Sequence, residues 1–216
     1  MTSDIKVKIC GLRQAHHLRA AVRAGAGYVG FAFFAKSPRN ISFLDARALA
    51  HEVPVGIAKV ALTADANDAF LERLADAVPL DMLQLHGQET PARVAQIKDR
   101  FRLPDMKAVG LSDEGDLAAL AEYGRVADQL LVDAKPANSA ALPGGNGLTF
   151  DWRLIAQRRW PVPWMLAGGL TPQNVAQAIH LTGARQVDVS SGVETSPGVK
   201  DEGLITDFCA AARANR

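Results

Sequence analysis

A cysteine and an aspartate are the side chains best suited to proton transfer in this sequence. Cys10 ends an apolar run over residues 6–10, and Asp133 ends a second apolar run over residues 129–133. A thiol acts as a base when nearby cations favour the thiolate, and a carboxylic acid can supply the matching proton. The pair therefore predicts general acid–base catalysis on a small molecule.

Both residues also have structural alternatives. Free cysteine is commonly a small hydrophobic core residue, and Cys209, beside Phe208 in a predicted helix, is interpreted in that way. Asp133 could instead form a salt bridge with Lys8, because Lys8 shares strand parity with Cys10 and could also point inward. A buried carboxylate without a partner would be costly, and the sequence leaves both assignments of Asp133 open.

Three further polar residues follow apolar runs and could bind a substrate. Arg39 offers a planar guanidinium that can hold a carboxylate through two parallel hydrogen bonds, whereas His86 and Asp188 could orient the substrate. Arg39 could alternatively be a solvated loop residue. The other two could equally be satisfied polar groups at the rim of a core.

Glycine-bearing loops follow the last apolar runs of the chain. Backbone N–H groups approach an anion closely where no Cβ intervenes, and (β/α)8 barrels usually hold a phosphate in the loops after strands seven and eight. These glycines could be turn residues only, but two such loops favour a phosphate site. The predicted phosphate-binding residues are Gly145, Gly168, Gly169, Ser190, Ser191 and Gly192.

The elements that would position these residues alternate between strand and helix. Short runs rich in Val, Ile, Leu and Phe alternate with segments of helical periodicity. The predicted strands span residues 6–10, 28–34, 55–62, 81–85, 105–110, 129–133, 163–168 and 186–190. The predicted helices span residues 14–24, 43–52, 66–77, 91–101, 114–123, 150–159, 172–182 and 201–213.

Eight such units predict an α/β fold, a single-domain (β/α)8 TIM barrel over residues 1–216. Parallel strands need crossover helices, and an open doubly wound sheet would satisfy that need too. The count of eight and the short connections favour the closed barrel. In such barrels the active site lies at the carboxyl ends of the strands, and the candidate residues follow those ends.

Some helix termini are readable from local sequence. Thr90-Pro91 and Thr171-Pro172 each predict a hydroxyl N-cap followed by proline at the first helical position. Gly183 predicts a left-handed end to the seventh helix.

The overall composition excludes several classes of partner. Lys and Arg total 24 against 23 Asp and Glu, for a net charge of +1, whereas nucleic-acid surfaces need clustered cations. No apolar run reaches the roughly 20 residues that span a bilayer, and the first residues lack the apolar core of a signal peptide. The two cysteines have neither disulfide nor metal-ligand spacing. We expect a soluble cytoplasmic protein with no bound metal.

Seven short motifs occur in order along nearly the whole chain. They are KICGL at 8–12, SPR at 37–39, QLHG at 84–87, LVDA at 131–134, GGNG at 144–147, LAGGL at 166–170 and DVSSGVE at 188–194. Together they resemble the phosphoribosylanthranilate isomerase family of tryptophan biosynthesis. One motif would be weak evidence, whereas seven in this order are specific.

The resemblance implies an Amadori rearrangement of N-(5-phospho-β-D-ribosyl)anthranilate to 1-(2-carboxyphenylamino)-1-deoxy-D-ribulose 5-phosphate, the third step from chorismate to tryptophan. Asp133 would be the general acid that opens the ribose ring, and Cys10 the general base that removes the proton from C2. Arg39 would hold the anthranilate carboxylate. No cofactor would be needed, because hydrogen moves within one molecule. The partner would be this small-molecule substrate, and the chain would be a monomer or a homodimer.

Two alternative functions stay open at this point. The aminoaldose phosphate isomerase of histidine biosynthesis performs the same chemistry in the same fold, but that family has an aspartate on strand one where this chain has Cys10. A non-catalytic barrel that only binds sugar phosphates would be expected to lose Cys10 or Asp133. Both residues are present.

Overall fold

The fold is given by a computed structural model that describes residues 5–135 and 147–214. The predicted phosphate-binding residue Gly145 lies outside the described residues.

Eight parallel strands form a closed barrel in the order of the chain, which confirms the predicted fold class. The barrel closes because β1 pairs with both β2 and β8. The strands are β1 (Lys6–Cys10), β2 (Tyr28–Ala32), β3 (Ala58–Thr63), β4 (Met82–Leu85), β5 (Asp105–Leu111), β6 (Gln129–Ala134), β7 (Trp164–Leu166) and β8 (Gln186–Val189).

Seven α-helices occur within the described ranges, and they pack around the barrel. They are α1 (Ala15–Arg23), α2 (Phe43–Glu52), α3 (Asp68–Ala77), α4 (Pro91–Phe101), α5 (Leu117–Tyr123), α6 (Val175–Thr182) and α7 (Glu202–Arg213). None of these helices has the length and apolar character needed to span a bilayer. A two-stranded antiparallel hairpin, β9 (Glu194–Ser196) and β10 (Val199–Lys200), follows β8.

The helix predicted over 150–159 is wrong. The chain forms only a short 3-10 turn, Trp152–Ile155, before β7. The backbone of Ala156 leaves the helical region with ψ of 136°, and Gln157 adopts a left-handed φ of 57°. The turn then passes directly into the segment that leads to β7, so no crossover helix forms there.

The predicted helix termini have mixed outcomes. Thr90 caps α4 as predicted, since its hydroxyl accepts a hydrogen bond from the Arg93 N–H at 3.2 Å. Gly183 ends α6 in a left-handed conformation with φ of 69°. The N-cap predicted at Thr171 is wrong, because α6 begins at Val175. The Thr171 N–H instead donates to the side chain of Asn174 at 2.8 Å.

The interior of the barrel holds a small apolar core. Its buried members are Met106, Ala108, Leu131, Met165 and Ala167. A larger apolar layer lies between the barrel and the helices. The interior core fills the middle of the barrel, so polar side chains that point inward lie near the two ends of the strands, below and above that core.

Candidate active site

A cleft of about 810 Å³, counting the solvent at its mouth, opens at the carboxyl ends of the barrel strands. Nine residues predicted to form the site line it. They are Cys10, Arg39, His86, Asp133, Gly168, Gly169, Asp188, Ser190 and Ser191. Gly192 is not among the described residues that line the cleft.

Cys10 lies at the end of β1 and is almost fully buried, with 3% of its surface exposed. Burial raises the pKa of the Cys10 thiol; the charge of Lys8 opposes this rise and that of Asp188 adds to it. Gly30 faces Cys10 across the β1–β2 pair, and a Cβ at Gly30 would lie 2.9 Å from Sγ. The thiol therefore depends on a glycine opposite it and is protonated at neutral pH.

The position of Lys8 decides whether it is the salt-bridge partner of Asp133, which the sequence left open. Its ammonium is fully buried and bonds to Asp188 Oδ1 at 2.8 Å, so Lys8 pairs with Asp188 rather than with Asp133. Burial acts to lower the pKa of Lys8, but the charge of Asp188 and that of Cys10 in its thiolate form outweigh it, and the net shift is upward. Lys8 therefore carries its positive charge beside the thiol.

Asp133 is held at both carboxylate oxygens. Its Oδ1 accepts a hydrogen bond from the Ala134 N–H at 2.8 Å, and its Oδ2 lies 3.3 Å from His86 Nε2. Gly168, at φ of 86°, packs against this group, since a Cβ there would lie 2.6 Å from the Ala134 nitrogen. The carboxyl group is thus oriented before any substrate arrives.

Arg39 is buried and paired within the protein, so the alternative of a solvated loop arginine is wrong. Its Nε and Nη2 each donate to Glu194 at 2.8 Å. Glu194 also accepts from Lys200 Nζ at 2.7 Å. Burial acts to raise the pKa of Glu194, but the Arg39 hydrogen bond and the Lys200 charge lower it overall. The Arg39 guanidinium therefore forms its two parallel hydrogen bonds with a carboxylate of the protein itself, that of Glu194.

The loops after β7 and β8 differ in how they use glycine. Gly169 has a left-handed φ of 59°, and a Cβ there would lie 2.6 Å from Thr149 Cγ2. Ser190 donates to the Cys10 carbonyl and accepts from Lys200, both at 3.2 Å. A Cβ at Gly192 would approach the Leu170 carbonyl oxygen to 1.9 Å. Gly192 is thus required by loop packing.

Sequence reasoning missed several residues of the site. Gln84 bonds to His86, and its strand parity with His86 could have indicated this. Glu194 lies in one of the seven motifs without a predicted role, and nothing local marks Lys200, which reaches the site through the β9–β10 hairpin. The missed apolar lining includes Phe34, Leu62 and Leu148. Within the described residues, no group of three His, Cys, Asp or Glu side chains is arranged to hold a metal ion.

The fold and the site together define a class: a (β/α)8-barrel enzyme whose cleft combines a thiol, a carboxyl group and buried cations. The family described as N-(5'phosphoribosyl)anthranilate (PRA) isomerase matches residues 7–211. An N-(5'-phosphoribosyl)anthranilate isomerase of Cereibacter sphaeroides is 59% identical over 211 residues, which cover 98% of this chain and 100% of the relative.

Solved structures agree with these sequence matches. Phosphoribosyl anthranilate isomerase from Thermotoga maritima superposes with a TM-score of 0.88 at 36% identity, over 97% of this chain and 99% of that one. A phosphoribosyl anthranilate isomerase in complex with reduced 1-(o-carboxyphenylamino)-1-deoxyribulose 5-phosphate has a TM-score of 0.85 at 34% identity, with the same coverage.

This chain belongs to the N-(5'-phosphoribosyl)anthranilate isomerase family. It is an isomerase of tryptophan biosynthesis, and it acts on a small molecule. The family assignment identifies the reaction, and the contacts described above suggest which side chains perform it.

Proposed function

We propose that Asp133 and Cys10 are the general acid and the general base of the Amadori rearrangement in this chain. The observation that carries the proposal is that both line one cleft, each beside charged or hydrogen-bonding groups that are already in position. Such positioning is the geometric requirement for acid–base catalysis.

The proton movements balance within one substrate molecule. Asp133 donates its proton to the ribose ring oxygen as the C1–O bond breaks, and the nitrogen lone pair forms a protonated C1=N bond. Cys10 then removes the proton from C2, and the C2–H electrons form the C1=C2 bond of an enol-amine. Proton transfer from the C2 hydroxyl and delivery of a proton to C1 give the ketone. No electrons leave or enter the substrate.

The cations around Cys10 support its role as the base. Lys8 and Lys200 each favour the thiolate, although burial still dominates and raises the pKa of Cys10. The base must lose its proton before it can act, so kcat/KM is expected to increase with pH towards the thiol pKa, above its ordinary value of 9.0.

We also propose that Arg39 binds the anthranilate carboxylate. The guanidinium lines the cleft, but its Nε–Nη2 edge is bonded to Glu194. Gly168, Gly169, Ser190 and Ser191, which line the cleft, and the adjacent Gly192 are the proposed phosphate-binding residues among those described.

The remaining proposals concern the state of the protein. Both cysteines are free and buried, which suits a reducing cytoplasm. All eight strands share one barrel, which supports a single domain over residues 1–216. The Thermotoga maritima isomerase is described as dimeric, so a homodimer is the first oligomeric state to test by light scattering, with a monomer as the alternative.

The first experiment follows the loss of phosphoribosylanthranilate fluorescence with purified protein and EDTA. Cys10→Ala and Asp133→Asn are each expected to lower kcat by about 10² or more. Cys209→Ser is the matched control, since Cys209 is buried in α7 away from the cleft, and it should retain activity. Wild-type protein that leaves the substrate unchanged would contradict the proposed substrate. Full activity in either site variant would contradict that residue's role.

A further inference from the structure

A buried glutamine, Gln84, contacts His86 on the side of the imidazole ring opposite the proposed acid, Asp133. Gln84 is fully buried on β4, and its Nε2 lies 2.9 Å from His86 Nδ1. The other ring nitrogen, Nε2, lies 3.3 Å from Asp133 Oδ2. Gln84, His86 and Asp133 thus form one chain of polar contacts that ends at the carboxyl group.

The donors and acceptors in this chain determine where the imidazole proton lies. A neutral imidazole carries one N–H, and the hydrogen bond at one nitrogen decides which nitrogen bears it. An amide N–H₂ can only donate, so His86 Nδ1 must accept from Gln84. The proton then lies on Nε2, and His86 donates it to Asp133.

The opposite orientation of the Gln84 amide is disfavoured. Gln84 Oε1 is buried and has no hydrogen-bond partner among the residues that the structure describes. Turning the amide would leave two N–H donors there without a partner where one acceptor now lacks one, and each unpartnered buried group costs about 1–3 kcal/mol.

The backbone around His86 is held independently of Gln84. Lys107 Nζ donates to the carbonyls of Leu85 at 3.3 Å and Gly87 at 2.7 Å, and it pairs with Glu89 at 2.7 Å. Because these bonds hold the loop on both sides of His86, Gln84 is left to control the protonation of the ring rather than the position of the loop.

We propose that Gln84 is a positioning residue that holds His86 as the Nε2–H tautomer, so that His86 donates to Asp133 and cannot take its proton. With Ala134 N–H on Oδ1 and His86 N–H on Oδ2, the acidic proton of Asp133 is directed into the cleft towards the substrate. The catalytic part of this inference rests on the proposed role of Asp133, whereas the tautomer does not.

The test measures the ring nitrogens of His86 by ¹⁵N NMR in histidine-labelled protein, assigned with His86→Gln and recorded without substrate. Wild type should show a protonated Nε2 and a hydrogen-bonded, unprotonated Nδ1. Gln84→Glu places an acceptor at Nδ1, so both nitrogens should become protonated at pH 7. Gln84→Met removes the donor, and the Nδ1 resonance should move to that of a nitrogen without a hydrogen bond. The Met variant keeps the test valid if the Glu variant does not fold.

The matched control is Gln129→Met, which removes a buried glutamine at the other end of the same barrel. It should leave the His86 resonances unchanged. Both Gln84 variants should lower kcat by about 10- to 100-fold with little change in KM, as for other outer partners of functional histidines. A wild-type Nδ1–H tautomer, or unchanged resonances in both variants, would overturn the proposal. Activity that survives Asp133→Asn would instead overturn the proposed function and leave the tautomer standing.

Discussion

The two ends of the barrel interior both contain buried polar residues, but they are organised differently. At the amino end of the strands, Gln186 Oε1 accepts from the Tyr28 hydroxyl at 2.8 Å and from Gln129 Nε2 at 3.3 Å. At the carboxyl end, the same strands β6 and β8 carry Asp133 and Asp188. One end has a neutral network, and the other has charged groups.

The difference between the two ends is explained by the cleft, which only the charged end borders. Neutral groups at the amino end lie beneath the apolar interior core and satisfy one another. Charged groups at the carboxyl end, such as the Lys8–Asp188 pair, border an open volume of about 810 Å³. Burying an ion pair costs several kcal/mol per ion in desolvation, so its presence beside a cleft is better explained by chemistry than by stability.

A third polar group shows that a perturbed pKa alone does not mark an active site. Asp105 lies at the amino end of β5, facing Asp128, and burial raises the pKa of its carboxyl to about 7. Lys98 on α4 bonds to Asp128, whose own pKa is lowered, since burial is outweighed by that hydrogen bond. This pair lies at the opposite end of the barrel from the cleft, so we interpret it as structural.

The largest expected loss of stability comes from removing a charge at the carboxyl end of the barrel. Lys8→Met removes the cation of a fully buried pair and leaves Asp188 uncompensated. The free energy of unfolding should fall by about 3–5 kcal/mol, measured by urea denaturation. The double variant Lys8→Met/Asp188→Asn should recover most of this loss. A loss below about 1 kcal/mol in the single variant would contradict the buried pairing.

A smaller change in stability is expected from the pair of carboxyl groups of Asp105 and Asp128. Well below pH 4 the Asp105 carboxyl is protonated in both the folded and the unfolded chain, since its ordinary pKa is 3.8. Between about 4 and 7 only the folded chain retains the proton, so wild type loses stability as pH rises through this range. Asp105→Asn keeps a neutral donor at every pH and should therefore remove this decrease of stability with pH.

The measurement is Tm against pH for both proteins. At pH 8, Asp105→Asn should be more stable by on the order of 1 kcal/mol, or about 2–4 °C in Tm. Asp99→Asn is the control, because Asp99 is an exposed carboxylate on the same helix as Lys98. An Asp105→Asn protein that is less stable than wild type at pH 8 would argue against a retained proton.

The smallest effect is expected at the neutral end. Tyr28→Phe removes the hydroxyl that donates to Gln186, while Gln129 continues to donate to the same oxygen. The loss of stability should be about 0.5 kcal/mol, the low end for a neutral hydrogen bond, measured by urea denaturation, and kcat/KM should be unchanged. A marked fall in kcat/KM would mean that the two ends are coupled, and the contrast between them would no longer hold.

Local sequence was sufficient for most of the barrel and for nine of the residues that line its cleft. Alternation along a strand depends only on neighbouring residues, so the inward direction of Lys8 and Cys10 was predictable. Helix termini with a strong local signal, such as Thr90 and Gly183, were confirmed. The prediction over 150–159 failed because helical periodicity cannot tell a short turn from a full crossover helix.

Tertiary structure alone decided which charges meet. Lys8 and Asp188 are 180 residues apart, and Arg39 and Glu194 are 155 residues apart. Their pairing follows from closure of the barrel and from the β9–β10 hairpin that brings Lys200 to Glu194. The sequence offered Asp133 as a partner for Lys8 and no carboxylate of the protein for Arg39, and only the closed barrel pairs them with Asp188 and Glu194. The reason is that ion pairing depends on distance in space, which local sequence does not encode.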